Sequence, residues 1–275
     1  MKDLELLKEV LSVPTYTYEE EQMVQFIIDW LKKNNIEYYV DEHLNVYAIK
    51  QTGEQPEDFV FPCVVAHTDT VHKIDTINIK ELMLENAYEE LKPSLKAFND
   101  AGHPTGIGGD DKCGVFACLE LLKELPNLKA AFFVSEETGC HGSRKADPRF
   151  FTNVGYAIQF DAPENWMVTE TCYGTRLFDR NSDFFTKCDK IINEGMGSMR
   201  QYMKHPFTDV YALKDKFDFS CINFSIGYYQ YHTINEYVVI DDVFNGIEMG
   251  KKMIEALGYK KHVYKTKNAF LGSTK

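Results

Sequence analysis

Phe59-Val-Phe-Pro-Cys-Val-Val-Ala66 is an unbroken apolar run that ends against His67-Thr68-Asp69. Short, rich in β-branched and aromatic residues, it reads as a buried strand, and the polar stretch Gln51 to Asp58, with Gly53 and Pro56, reads as the surface loop before it. Three further runs have the same character: Ala130-Ala-Phe-Phe-Val134, Val154-Gly-Tyr-Ala-Ile-Gln-Phe160 and Phe219-Ser-Cys-Ile-Asn-Phe-Ser-Ile226. Helical patterns lie between several of them. The expected fold is therefore α/β, a mixed, largely parallel central sheet with helices on both faces in three layers. Such sheets gather function outside the carboxyl ends of their strands. His67, Asp69, Asp110, Glu136, Glu137, Asp161 and His232 each sit at or just beyond the end of an apolar run, where they can share one metal site.

Outward from these strands, Met23, Val24, Phe26, Ile27, Trp30 and Leu31 make one apolar helical face, and Thr17 to Glu20 ahead of them has the form of a capping box. Ile36 to Val40 and Leu44 to Lys50, separated by Asp41-Glu-His43, suggest a hairpin at the sheet edge. Lys80 to Phe98 shows a helical pattern broken by Pro93, followed by the Gly-rich loop Gly102 to Gly109. A second amphipathic helix carries Val115, Cys118, Leu119, Leu122 and Leu125 and stops at Pro126. Another is expected over Asp183 to Met203, and the last runs from about Asp242 to Leu257 with Gly258 as its C-cap.

The 275 residues, 44% of them hydrophobic, suffice for one full core, and residues 1–275 are expected to form a single domain. A net charge of −12 and a pI near 5.2 argue against nucleic acid and anionic membrane as main partners, since both reward clustered Lys and Arg. Seven cysteines without a CxxC pair read as reduced, mostly buried thiols. The first residues, Met1-Lys-Asp-Leu-Glu-Leu-Leu-Lys8, are charged and amphipathic, unlike a signal peptide, and no apolar stretch approaches the roughly 18 residues of a membrane span. The cytoplasm is the expected location.

His67-Thr-Asp69 puts an imidazole and a carboxylate on the same side of an extended segment. That suits a metal-bound histidine oriented by an acid, although a surface histidine beside a charge has the same pattern. Gly106-Ile-Gly-Gly109-Asp-Asp-Lys-Cys-Gly114 lacks the Gly-Lys-Ser/Thr of a phosphate loop. Its two carboxylates suit a cation, and Asp111 also suits a cap for the following helix. Glu136 and Glu137 follow a strand and point in opposite directions, so one can bind metal while its neighbour takes a proton from water. A solvated acidic turn is the plainer alternative.

The ordered set His67-Thr-Asp69-Thr-Val71, Gly109-Asp-Asp-Lys-Cys-Gly114, Glu136-Glu-Thr-Gly139, Asp161 and His232-Thr-Ile-Asn-Glu-Tyr-Val238 resembles the co-catalytic di-zinc exopeptidases, in particular the peptidase T-like aminopeptidases. Leu11-Ser-Val-Pro14 and Asp41-Glu-His-Leu-Asn-Val46 look like that family's amino-terminal segment, so the resemblance spans about residues 4 to 258. It implies that Asp110 bridges two Zn²⁺ ions, with His67 and Asp161 completing one site and Glu137 and His232 the other. It further implies Glu136 as general base, Asp69 as the acid orienting His67, and a cis Asp110-Asp111 peptide. Co²⁺ or Mn²⁺ can substitute for such zinc. Asp rather than Glu at position 161 leans the resemblance toward aminopeptidases.

The family's inserted lid and dimerisation domain has no room between Asp161 and Thr208-Asp209, so no separate lid domain is expected and nothing indicates an oligomer. Cys140-His-Gly-Ser143 echoes the clan's other, single-domain branch. Tyr228, Tyr229, Tyr231 or His205 are candidates for stabilising an oxyanion, and Arg176 and Arg180 for a substrate carboxylate. His43, His72, His103, His141 and His262 are expected to be ordinary surface or loop residues. The expected function is a zinc aminopeptidase acting on short peptides. An N-acyl amino acid amidohydrolase using the same metal site and a non-catalytic metal-binding protein are the alternatives.

Overall fold

A computed structural model describes residues 3–85, 90–204 and 208–265. The chain opens with α1 (Leu4–Ser12) and α2 (Glu21–Lys33), then the hairpin β1 (Glu37–Val40) and β2 (Val46–Lys50) and the first central strand β3 (Phe61–His67). After β4 (Asn78–Glu85), β5 (Leu91–Phe98) and β6 (Pro104–Thr105) come α3 (Gly109–Glu124), β7 (Leu128–Phe133), α4 (Pro148–Phe151) and β8 (Val154–Ala162). The remainder is β9 (Met167–Cys172), β10 (Thr175–Arg176), α5 (Asp183–Met196), β11 (Gln201–Lys204), α6 (Asp209–Lys216), β12 (Ser220–Ser225), β13 (Tyr228–Tyr229), β14 (Tyr237–Val239) and α7 (Ile240–Leu257).

The four apolar runs become β3, β7, β8 and β12, which pair in parallel in the order β7-β3-β8-β12 at the centre of a nine-stranded sheet. Antiparallel β2 and β1 extend it on one side and antiparallel β9 on the other, so the sheet is mixed, as expected. The chain leaves β3 for β7 on one flank and returns to β8 on the other. The carboxyl end of β3 is thus a switch point of the kind where α/β sheets bind ligands.

Alternation along β8 assigns the helices to opposite faces. An added Cβ at Gly250 of α7 would sit 2.5 Å from the Phe160 ring, while the neighbouring Gln159 side chain accepts the backbone N–H of Val210 in α6 at 2.9 Å. Helix α3 lies against β3 and β8, flanked by α1 and α7. It is buried on nearly every side, which accounts for its apolar composition beyond one stripe.

Several expectations are corrected. The described residues of Lys80 to Phe98, 80–85 and 90–98, are not helical: β4 and β5 form an antiparallel pair with Ile79 opposite Ala97 and Met83 opposite Pro93, in a second, five-stranded sheet. Pro93 is tolerated because β14, the other neighbour of β5, reaches only to Ser94. The helix expected over Asp183 to Met203 ends at Met196, where Gly197 takes φ +69°, and Gln201–Lys204 instead pairs with β9. The capping box does not form: Glu20 is the N-cap of α2 without a side-chain bond to it. All seven cysteines are buried and none forms a disulfide. No helix among the described residues is long and apolar enough to cross a membrane.

Candidate metal centre

The parallel register brings the chemistry to one level. Val65 of β3 lies opposite Gln159 of β8, two residues before His67 and Asp161 respectively, and His67 lies opposite Phe133, three residues before Glu136. Asp110 arrives from the start of α3, just before a cis Asp110-Asp111 peptide bond. His232 arrives from the turn between β13 and β14, in the second sheet.

Asp110 stands between two imidazoles. Its Oδ1 is 3.1 Å from His67 Nε2 and its Oδ2 is 3.2 Å from His232 Nε2. Asp161 Oδ1 is 3.7 Å from His67 Nε2, and Glu137 Oε1 is 3.1 Å from His232 Nε2. Two overlapping groups result, His67-Asp110-Asp161 and Asp110-Glu137-His232, each with its donor atoms within 4.8 Å of one another. Glu136 faces the first group, its Oε2 3.9 Å from His67 Nε2 and its Oε1 accepting the Cys140 thiol at 3.4 Å.

Asp69 joins these parts. Its Oδ1 lies 3.3 Å from His67 Nδ1 and accepts the Glu136 N–H at 2.9 Å, while its Oδ2 accepts the Glu137 N–H at 3.2 Å and the Thr17 hydroxyl at 2.9 Å. The Asp69 carbonyl also lies 3.0 Å from His67 Nδ1. Asp69 thus engages Nδ1 from two atoms, and Nε2 is the ring nitrogen turned toward Asp110.

The electrostatics are one-sided. Asp69, Asp110, Asp111, Glu136, Asp161 and Asp209 are all buried, against His67, Lys112 and the partly exposed His232. Burial, reinforced by neighbouring carboxylates, pushes Asp111, Asp161 and Glu136 well above the usual carboxylate range and raises Glu137 to about 6. Burial likewise lifts Asp209 to about 6. Burial opposes charging of His67 and ionisation of Asp110. The surrounding carboxylates nonetheless raise His67 well above its ordinary value, and the two imidazoles hold Asp110 low. Asp110 and Glu137 raise His232 to about 10. Such an excess of buried carboxylate is costly unless a cation balances it. Imidazole nitrogens and carboxylate oxygens fit a divalent cation such as zinc. Burial raises the Cys140 thiol, which donates to Glu136.

Other candidates fare unevenly. Arg180 makes a two-pronged pair with Glu170, and the exposed Arg176 lies 3.8 Å from the same carboxylate. The buried Tyr228 hydroxyl donates to Asp161 at 3.4 Å, Tyr229 donates to Asp242, and Tyr231 packs edge-on against His232. His205 lies outside the described residues. His103 and His141 are exposed and His43 is partly so, as expected. His72 and His262 lie in loops, as expected, but neither is solvated: His262 is buried against Tyr156, and His72 Nε2 lies 3.0 Å from Glu236.

Several supporting residues escaped sequence reasoning. Thr17 serves Asp69 rather than a helix cap, and Glu20 accepts both the N–H and the hydroxyl of Ser135. Asn223 accepts the Asp161 N–H and donates to the Asp161 carbonyl, both at 2.7 Å, and Gln159 donates to Asp161 Oδ2 at 3.1 Å. Their available signal was a polar amide inside an apolar strand run. Asp111 does cap Gly114, and it also accepts the His67 N–H.

No protein-family profile matches the sequence, and no curated protein does. Solved structures match well. The aminopeptidase PepT of Bacillus cereus superposes with a TM-score of 0.71 at 12% identity, covering 93% of this chain and 98% of that one. A tripeptidase of Staphylococcus aureus gives 0.70 at 13% identity over 94% and 98%. The TET1 peptidase of Pyrococcus horikoshii gives 0.63 at 17% over 93% and 99%. The chain therefore has the mixed α/β fold shared by the PepT-type and TET peptidases.

Proposed function

We propose that the protein is a metal-dependent aminopeptidase acting on short peptides. His67, Asp110 and Asp161 would hold one Zn²⁺ and Asp110, Glu137 and His232 a second. The observation that carries this reading is Asp110, whose two carboxylate oxygens each face a different imidazole within a largely buried, carboxylate-rich cluster. The aminopeptidase and tripeptidase activities of the structural neighbours support the choice of peptide over other amides.

A bound metal pair supplies Lewis acidity, which polarises a scissile carbonyl and makes water acidic. The chain's own residues do the rest. Glu136, with a pKa raised by burial, accepts the proton of the attacking water on its carboxylate and returns it to the leaving amine. Asp69 keeps His67 in one tautomer and holds the N–H groups of Glu136 and Glu137, fixing base and ligand relative to each other. We read residues 1–275 as one catalytic unit of the cytoplasm, in keeping with seven buried cysteines outside any disulfide.

The test is hydrolysis of free-amino dipeptides and tripeptides and of N-acyl amino acids by zinc-loaded protein, with Glu136→Gln alongside. Turnover of the free-amino peptides, reduced about 10²- to 10⁴-fold in the variant with zinc retained, is expected. Turnover of acylated substrates alone, or none at all, would refute the aminopeptidase reading.

A further inference from the structure

The glycine-rich loop that delivers Asp110 is gripped by a carboxylate that the reaction above does not use. Glu236 is fully buried. Its Oε1 accepts the Asp110 N–H at 3.2 Å, its Oε2 accepts the Gly108 N–H at 2.9 Å, and His72 Nε2 lies 3.0 Å from Oε2. The loop's carbonyl side is held in turn by Lys112, whose Nζ donates to Ile107 O at 3.2 Å and to Leu11 O at 3.0 Å. One buried carboxylate takes the loop's N–H groups and one buried ammonium takes a carbonyl.

The fit depends on the absence of side chains in the loop. Gly108 has φ +67°, and an added Cβ there would lie 2.6 Å from Thr70 Cγ2. At Gly109 an added Cβ would lie 2.6 Å from Tyr228 Cβ and 3.4 Å from Glu236 Oε1. The first N–H groups of a helix need partners from outside it, and these find theirs in a segment more than a hundred residues away.

That segment also carries His232, four residues before Glu236, and the turn between them is closed by the Glu236 N–H donating to Thr233 O at 3.1 Å. Glu236 thus ties the backbone of one residue of the centre to the turn presenting another, whose side chains stand 3.2 Å apart. We propose that Glu236 is a positioning residue that sets the separation of Asp110 and His232, and through it the geometry of both metal positions. The inference rests on the metal-site reading above.

The test is zinc titration of Glu236→Gln against a chromophoric chelator, together with the visible spectrum of the cobalt-loaded protein and the unfolding midpoint. Glutamine keeps one acceptor oxygen but turns an NH₂ group toward one of the two backbone N–H groups. The expected result is zinc affinity weakened about 10- to 100-fold with a changed cobalt spectrum, in a protein that still unfolds cooperatively. His72→Ala keeps both backbone bonds and should stay near the unmutated affinity. If Glu236→Gln yields no folded protein, Glu236→Asp, which retains the charge but withdraws the carboxylate by one methylene, is held to the same criterion. Unchanged affinity and spectrum in the Glu236 variant, or an equal loss in His72→Ala, would overturn the proposal. Failure of the unmutated protein to bind zinc would overturn the functional reading beneath it as well.

Discussion

Asn223 offers the sharpest test of how the sheet holds the centre. Strand β12 follows β8 in register as far as Asn223 opposite Gln159, then shifts before Ser225 meets Ala162. Across that irregularity the Asn223 side chain stands in for a strand, accepting the Asp161 N–H and donating to the Asp161 carbonyl at 2.7 Å each. Replacing it with Leu, close in size and unable to bond, strands both groups in a fully buried setting. Each stranded group costs about 1–3 kcal/mol, so the substitution should cost about 2–6 kcal/mol before any gain from the leucine's apolar surface. Asn223→Ala leaves room for a water to bridge the same groups and should cost less. Hydrophobic transfer alone predicts the reverse order. Guanidinium unfolding in the presence of chelator measures the difference as a shift in midpoint at constant slope. A leucine variant as stable as the parent, or more stable than the alanine variant, would refute the reasoning.

Asp69→Asn should weaken zinc binding about 10- to 100-fold and lower kcat more than it raises KM, because an amide cannot serve all four groups the carboxylate now contacts; an isothermal zinc titration beside steady-state kinetics checks both. Lys129 gives a pH signature away from the centre. Burial lowers it to about 8, below its ordinary value, so the unfolded chain binds more protons between pH 8 and about 10.5 and stability rises with pH across that window. In Lys129→Met that contribution disappears. The unfolding free energy of the parent should gain on that of the variant as pH is raised from 8 to 10.5, and a difference independent of pH would contradict the assignment.

The central strands and the acids at their ends were legible because a buried parallel strand needs an unbroken apolar run, and a polar residue that ends it abruptly has few other uses. The second sheet was not. In β4, Ile79, Leu82 and Met83 fall at helical spacing, and in β5 Leu91, Leu95 and Phe98 do the same, while only one side of the pair is covered. Periodicity over eight residues cannot separate those cases; the pairing partner decides. Thr17 and Glu20 fit a capping box as well as they fit their actual partners, Asp69 and Ser135, which lie far along the chain. Local pattern specifies local structure. The supports of the centre are long-range: Asn223 to Asp161, Glu236 to Gly108 and Asp110, and Thr17 to Asp69 each link residues more than fifty positions apart.

The most direct test of the account is anomalous diffraction at the zinc edge from crystals equilibrated with zinc. Two peaks are predicted on either side of the Asp110 carboxylate, one among His67, Asp110 and Asp161 and the other among Asp110, Glu137 and His232. A pocket without zinc, or zinc bound only elsewhere on the molecule, would contradict it.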